Sequence, residues 1–327
     1  MKPMIAVILV NWNGADDTIA CLESLKKNEE PHFVVIADNF STDDSVERIQ
    51  CWIDKQTDNC NAEQYQLLQL DANYGFAVGN NKALAVAMQR NPEYCLLLNN
   101  DTEVEPDCLS RLAEYARLNP EHKVLSPCIR YFSKKDVVWF SGGKLTFGSR
   151  KNLFAECQYR VLDDKPFPID FVSGCALFFH TSLLNKDCEL LYPHFFFGEE
   201  DYEFSLRMRR DNVTMICVPT SVVYHKVGSS QKHTQDVRGL GRIYMYYHNR
   251  LICNRMYESR MAFNVIWMLN SITCLRYFKK YTGSWKTAFR VLFHLMKKTR
   301  TSFGFDAKDF QSLMFDNTYF PFEVNFK

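Results

Sequence analysis

Net charge is nearly absent from this sequence: 39 lysines and arginines face 38 acids, a formal +1. A general nucleic-acid binder carries a large basic excess, so that class is set aside. No C-x-x-C pair occurs among the 12 cysteines, which removes zinc-ribbon and thioredoxin-type sites. Long apolar runs are missing too. The longest after the opening strand, Met261 to Leu275, is broken by Asn264, Asn270, Ser271 and Thr273. It is too short and too polar for a membrane-spanning helix. The opening lacks the basic n-region and small-residue cleavage site of a signal peptide, so none is expected. Reduced thiols in the cytosol are the simplest expectation. Internal repeats and low-complexity linkers are absent as well.

What is present suits a globular enzyme. The 327 residues are enough for one large α/β domain and a smaller appendage. Ile5–Val10 is a continuous apolar run, the mark of a strand buried on both faces. A helix over Asp16–Lys27 follows, then a strand over Phe33–Ala37. Ser41, with Asp44 three residues on, predicts an N-cap for the next helix. Tyr65–Leu70 and Tyr94–Leu98 are further strands, with a helix around Asn80–Gln89 between them and another starting at Pro106. This alternation predicts a mostly parallel sheet with helices on both faces. Short β-like runs from Lys123 to His180 predict an antiparallel extension, and the chain from about Arg238 reads as helical. The expected division is a catalytic domain over 1–237 and a helical extension over 238–327.

Ligands of such sheets bind beyond the carboxyl ends of the strands. The polar groups Asn11-Trp12-Asn13, Asp38-Asn39 and Asn99-Asn100-Asp101 all fall at those ends, and so predict one site. An acid such as Asp101 at a strand end can hold a divalent cation against a diphosphate. Each residue also has a plainer reading. Asp38 equally fits a turn, and Glu199-Glu200-Asp201 fits a helix N-terminus. His225 fits a core histidine at a strand end. Glu203 and Arg207 fit an i,i+4 pair. Trp12 reads as a packing residue more than a stacking platform. Phe195-Phe196-Phe197 reads as core, or as a wall of an acceptor pocket.

Seven segments in order resemble glycosyltransferase family 2, in its rhamnosyl- and galactofuranosyl-transferase-like branch, with the GT-A fold. The resemblance covers about the first three-quarters of the chain. Val10-Asn11-Trp12-Asn13 resembles the first nucleotide-contacting strand end. Asp38-Asn39-Phe40-Ser41-Thr42-Asp43 resembles the segment whose first acid contacts the nucleobase. Asn73-Tyr74-Gly75-Phe76-Ala77-Val78-Gly79-Asn80-Asn81 resembles the loop that closes over the nucleotide. Asn99-Asn100-Asp101 resembles the D-x-D segment, with Asn99 standing where the family has its first acid. Phe171-Val172-Ser173-Gly174-Cys175-Ala176 resembles the donor-sugar and acceptor lining. Glu200-Asp201-Tyr202-Glu203 resembles the segment that carries the base. Val223-Tyr224-His225-Lys226-Val227-Gly228-Ser229-Ser230 resembles the one with a metal-binding histidine.

The resemblance implies an inverting sugar transfer from a UDP-, dTDP- or GDP-sugar to a glycan or lipid-linked glycan. Such a reaction would serve bacterial surface polysaccharide, O-antigen or capsule. Asp201 is the expected base, with Glu200 beside it. Asn11, Asn13, Asp38, Asn73, Gly75, Asn80 and Asn100 are expected at the nucleotide. Asp101 and His225 are expected at Mg²⁺ or Mn²⁺, with Glu103 a further acid near by. Asn99, Gly174, Trp12 and Arg250 are expected at the donor and acceptor pocket, Arg250 against a phosphate. The rivals are a sugar-nucleotide pyrophosphorylase, whose Gly-rich basic signature Asn11-Trp12-Asn13-Gly14 does not supply, and a degenerate sugar-nucleotide binder, which Asn99 alone favours.

The stretch from Arg260 to Phe305 contains no acid. Trp285, Phe289, Leu292, Phe293 and Met296 recur there at helical spacing among lysines and arginines. Such a segment suits either a helix packed on the catalytic domain or one lying on the inner face of the plasma membrane.

Overall fold

The computed structural model describes residues 4–57, 64–227, 237–316 and 318–324. Its first half follows the alternation. β1 (Ile5–Asn11), α1 (Ala15–Leu25), β2 (His32–Asp38), α2 (Ser45–Thr57), β3 (Tyr65–Gln69), α3 (Gly75–Ala87) and β4 (Tyr94–Leu98) succeed one another. β5 (Thr102–Val104) and α4 (Cys108–Leu118) come next. β3, β2, β1 and β4 lie side by side in that order, all parallel. The strand order reverses at β1, so a crevice opens at its carboxyl end.

The second half turns antiparallel in part. β6 (Val124–Tyr131), β7 (Lys134–Phe140), β8 (Gly143–Thr146), β9 (Ser149–Asn152), β10 (Phe167–Ile169) and β11 (Ala176–His180) precede α5 (Glu200–Arg210) and β12 (Met215–His225). β11 wedges antiparallel between β4 and β6. β12 lies parallel to β6 and carries β10 and β5 antiparallel to itself. The hairpin β8–β9 forms a small separate sheet.

The central strands are buried on both faces, and residue parity decides which face. Ile5, Val7 and Leu9 join Val34 and Ile36 against α1, α2 and α4 through Leu22, Ile49, Trp52 and Leu112. Ala6 and Ile8 join Phe33, Val35 and Ala37 against α3 and α5 through Ala83, Leu84, Phe204 and Met208. This period of two in an unbroken apolar run is what a fully covered sheet requires. α6 (Val237–Tyr257), α7 (Arg260–Thr282) and α8 (Trp285–Thr301) form a third cluster around Leu240, Tyr244, Phe278, Val291 and Leu295.

Three boundaries differ from the sequence reading. α2 begins at Ser45, where Asp43 Oδ1 accepts the Ser45 N–H at 3.0 Å. Ser41 is not its cap, because its hydroxyl donates to Asp38 Oδ1 at 2.6 Å. α3 begins at Gly75, five residues before Asn80, and α4 at Cys108, two after Pro106.

A chain of main-chain hydrogen bonds ties the halves together. Phe76 N–H donates to Phe196 O, Phe196 N–H to Phe305 O, and Phe305 N–H to His194 O, at 2.9, 2.9 and 3.0 Å. Two glycines permit this approach. A β-carbon on Gly75, at φ +75°, would lie 2.0 Å from Phe196 O, and one on Gly304 would lie 1.8 Å from His194 O.

Candidate active site

The parallel register sets Asn11 directly beside Asp38, each the last residue of its strand. Asn11 Nδ2 donates to Asp38 Oδ1 at 2.8 Å and to Ser41 Oγ at 3.2 Å. Its Oδ1 accepts the Thr18 hydroxyl at 2.8 Å, and Thr18 Oγ1 accepts Asn100 Nδ2 at 2.9 Å. Asp38 Oδ2 also accepts the Ser41 N–H at 2.9 Å. Asn13, at φ 52°, takes a left-handed turn that asparagine tolerates. Its Oδ1 accepts the Thr42 N–H at 2.8 Å. Asn11, Thr18, Asp38, Ser41 and Asn100 thus join the three strand ends in one hydrogen-bonded unit.

Asn39 links this unit to the glycine loop. Its Nδ2 donates to Asn73 Oδ1 at 3.0 Å and to Gly75 O at 3.1 Å, and its Oδ1 accepts the Tyr74 N–H at 2.9 Å. Asn73 and Gly75 therefore reach the crevice as a fixed loop. Asn80 does not: 2% exposed, it donates back to Phe76 O within its own helix. Trp12 stands 52% exposed at the end of β1, so it is not the packing residue its sequence suggests.

Beyond β4, Asp101 meets the end of β12. His225 Nε2 lies 3.3 Å from Asp101 Oδ1, and both side chains are 11% exposed. The His225 ring sits edge-on to Trp139, centroids 4.6 Å apart. Glu103 is committed elsewhere, to Lys226 Nζ at 3.2 Å, and Lys226 also holds Asp17. Among the described residues no third histidine, cysteine, aspartate or glutamate completes a metal cluster with Asp101 and His225. Within those same residues, the buried His225 Nδ1 and Asn99 Oδ1 find no hydrogen-bond partner. A carboxylate, an imidazole and a spare amide oxygen suit a cation that takes its remaining ligands from a diphosphate. Gly228, Ser229 and Ser230 lie outside the described residues.

Asp201 faces the same crevice from the first turn of α5. Its Oδ2 accepts the Gly174 N–H at 3.4 Å, and its Oδ1 lies 3.8 Å from Arg150 Nη1. A β-carbon on Gly174 would sit 3.4 Å from the Phe76 ring and 3.8 Å from Asp201 Cβ. That glycine therefore brings the closing loop and the acid together. The neighbouring Cys175 thiol is pushed far up by burial, then by the charges of Asp101 and Asp201.

Glu200 does not face the crevice. Only 6% exposed, it accepts the Gly198 N–H at 2.7 Å. Burial raises its carboxyl from the ordinary 4.5 to about 8, helped by the Asp201 and Glu199 charges. It holds its proton at neutral pH, which suits a structural role better than a base.

Arg250 is corrected by the structure. Its guanidinium is 1% exposed and grips Glu199 Oε2 through Nε at 2.8 Å and Nη2 at 2.7 Å. A phosphate has no access to it. Glu199 caps α5 at φ 71°, a left-handed conformation that costs on the order of 1–2 kcal/mol for a non-glycine residue. Arg150, from β9, holds the other side of the same carboxylate at 3.1 and 3.2 Å. Asn249 donates to Phe197 O and Gly198 O, at 3.2 and 2.8 Å. Phe195 is fully buried while Phe197 is 54% exposed, so the aromatic triplet is only partly core.

A match to the family described as "Glycosyl transferase family 2" spans residues 6–186, more than half of the chain. The chain belongs to glycosyltransferase family 2. TuaG of Bacillus subtilis (strain 168), provisionally named a teichuronic acid biosynthesis glycosyltransferase, is 30% identical over 115 residues. That match covers 35% of this chain and 42% of TuaG, so it spans under half of the relative's length. Among solved structures, the mannosyltransferase PcManGT from Pyrobaculum calidifontis, complexed with GDP-Man and Mn²⁺, has a TM-score of 0.52 at 15% identity. The likeness covers 92% of this chain and 88% of that one. GalNAc-T7 with UDP, GalNAc and Mn²⁺ has a TM-score of 0.59 at 13% identity, over 98% of this chain and 58% of that one. These likenesses establish the GT-A fold of this family 2 chain, with its helices added at the C-terminal side.

Four residues of the site escaped the sequence reading as site residues. Ser41 and Asn39 stood inside a quoted motif and were legible there. Thr18 sits seven residues past Asn11 on the helix that follows β1, and Arg150 is a single arginine in a hairpin. Nothing local marks either.

Proposed function

We propose that the chain is an inverting hexosyl- or deoxyhexosyl-transferase. It moves a sugar from a UDP-, dTDP- or GDP-sugar to a hydroxyl of a glycan or lipid-linked glycan, in bacterial surface polysaccharide synthesis. The family match and the TuaG likeness support the class and the pathway. The protein works in the cytoplasm or at the inner face of the plasma membrane, where a lipid-linked acceptor presents itself.

The observation that carries the reading is the short link between two acids: Asp201 accepts the Gly174 N–H, and the next carbonyl, Cys175 O, accepts the N–H of Asn99, two residues before Asp101. Asp201 accepts from Gly174, and Asp101 meets His225. Asp201 takes the proton of the acceptor hydroxyl. The freed oxygen bonds to the anomeric carbon as the bond to the nucleoside diphosphate breaks, and the diphosphate leaves with the bonding electrons. One displacement inverts the configuration. Asp38 and Asn11 hold the base and ribose end of the donor, while the loop from Asn73 closes over it. Asn99, Gly174 and Trp12 border the donor sugar. A bound Mg²⁺ or Mn²⁺ would stabilise the departing charge, and Asp101 and His225 are the residues that would hold it.

The test is donor hydrolysis across UDP-, dTDP- and GDP-sugars, with Mn²⁺, Mg²⁺ or a chelator, for wild type and Asp101→Ala. Metal-dependent release of nucleotide from one donor, lost in the variant, is expected. Nucleotide binding without release in the presence of glycan acceptors would favour the non-catalytic binder. A retained product configuration would overturn the single displacement.

A further inference from the structure

α7 and α8 leave an outward face that no other described element covers. On α7, Met261, Val265, Met268, Leu269 and Ile272 are 79, 40, 55, 50 and 52% exposed. Their spacing of four, three, one and three residues places them on one stripe of a helix. On α8, Trp285, Phe289 and Phe293 are 53, 56 and 71% exposed, at intervals of four. The opposite sides of both helices, through Cys274, Phe278, Val291 and Leu295, are used against α6.

The two stripes adjoin. Contacts between Trp267 and Arg300, Ser271 and Met296, and Lys279 and Trp285 mark the seam between the helices. Met268 and Ile272 come next to the seam on α7, and Phe289 and Phe293 next to it on α8. A patch of this size, rich in Met, Phe and Trp, is unusual on a free surface.

Charge identifies what covers it. Every charged residue from Arg260 to Phe305 is a cation. Arg276, Lys280, Lys286 and Lys297 are all exposed around the apolar stripes. A second copy docked on the same patch would set cation against cation. An anionic bilayer surface satisfies both demands: acyl chains take the aromatic and Met side chains, and phosphates take the cations. Among the described residues no helix is long and apolar enough to cross a membrane, so the helices lie on the surface.

We infer that the outward face of α7 and α8 docks this protein on an anionic phospholipid surface. The inference deepens the inner-membrane placement proposed above and names the surface that achieves it. It also orients the site. A β-carbon on Gly148, in the β8–β9 turn, would lie 2.5 Å from Ile266 of α7. Two residues on, Arg150 touches Asp201. The helix that carries part of the docking face therefore packs, through the buried Ile266, on the hairpin beside the proposed base, which sets that site at a fixed position relative to the lipid surface.

The experiment is co-sedimentation of the full chain with phosphatidylcholine vesicles, with and without one quarter phosphatidylglycerol. Wild type is expected to pellet only with the anionic vesicles, and less as salt rises. Trp285→Ser/Phe289→Ser/Phe293→Ser is expected to lose binding at least about 10-fold, and Lys280→Gln/Lys286→Gln/Lys297→Gln by a similar factor. Both sets are solvent-exposed, and donor hydrolysis in solution should match wild type. Wild type left in the supernatant with anionic vesicles would overturn the inference. So would variants that pellet like wild type, or a dimer in sedimentation velocity that the aromatic variant dissolves without any vesicle binding. Donor hydrolysis reports on the transferase reading separately, so the two failures are distinguishable.

Discussion

The two sides of the crevice are built from different chemistry. The side proposed to hold the nucleotide is a mesh of short neutral groups around a single acid, with Asn11, Thr18, Asn39, Ser41, Asn73 and Asn100 bonded to one another and to Asp38. The side proposed to take the acceptor is held by buried charges: Arg250 and Arg150 clamp Glu199, and Arg207 pairs with Glu203 at 3.1 Å. A neutral mesh loses one bond at a time, each worth about 1 kcal/mol net. A buried ion pair fails as a unit, because removing one partner strands the other without water. The first design tolerates adjustment around a ligand, and the second fixes the start of α5, where the proposed base Asp201 stands.

The largest effect should separate chemistry from architecture. Asp201→Asn keeps the shape of the α5 start but removes the proposed base. Turnover is expected to fall about 10²- to 10⁴-fold, with nucleotide affinity nearly unchanged in a binding titration. Activity equal to wild type would reduce the acceptor side to a scaffold. The next effect contrasts the two designs directly. Arg250→Ala should cost about 3–5 kcal/mol in denaturant unfolding, against about 1 kcal/mol for Thr18→Val. Equal losses would erase the distinction. The smallest effect is a slope. The Glu200 carboxyl is raised to about 8, so the folded state binds its proton more tightly than the unfolded chain. Stability is then fullest below the ordinary value and declines as pH rises toward 8, by about 1 kcal/mol for each unit between 6 and 8. Glu200→Gln should flatten that decline in unfolding midpoints measured across the window.

The same contrast explains what the sequence disclosed. The four parallel strands β1 to β4 were legible, because an unbroken apolar run with polar residues at its end has one cheap arrangement. The nucleotide side was legible as well, since its groups cluster in short segments: Asp38, Asn39 and Ser41 lie within four residues. Local pattern also misled there. Ser41 followed by Asp44 has the spacing of a cap, yet the hydroxyl found a better acceptor in Asp38. The acceptor side was legible only at Asp201. Its clamp joins residues 149–150, 199 and 250, and no local rule links positions fifty apart. Arg250 was assigned to a phosphate because a motif shows that an arginine is there and not which way it turns. Trp12 was misjudged for the opposite reason: a large ring ordinarily packs, and here the strand ends before anything can cover it.

The main-chain bonds through Phe76, Phe196, Phe305 and His194 have a practical consequence. They are made by peptide groups, so an alanine scan would pass over all four positions without breaking one of them. The closing loop, the approach to the base and the segment after α8 would look unconnected in such a survey. Only a change of backbone would reveal the linkage. A proline at residue 196 or 305 removes a donor, and any side chain at Gly75 or Gly304 would collide with the backbone of Phe196 or His194. Inherited variation at those two glycines should therefore behave like damage to the active site, although neither carries a side chain to react.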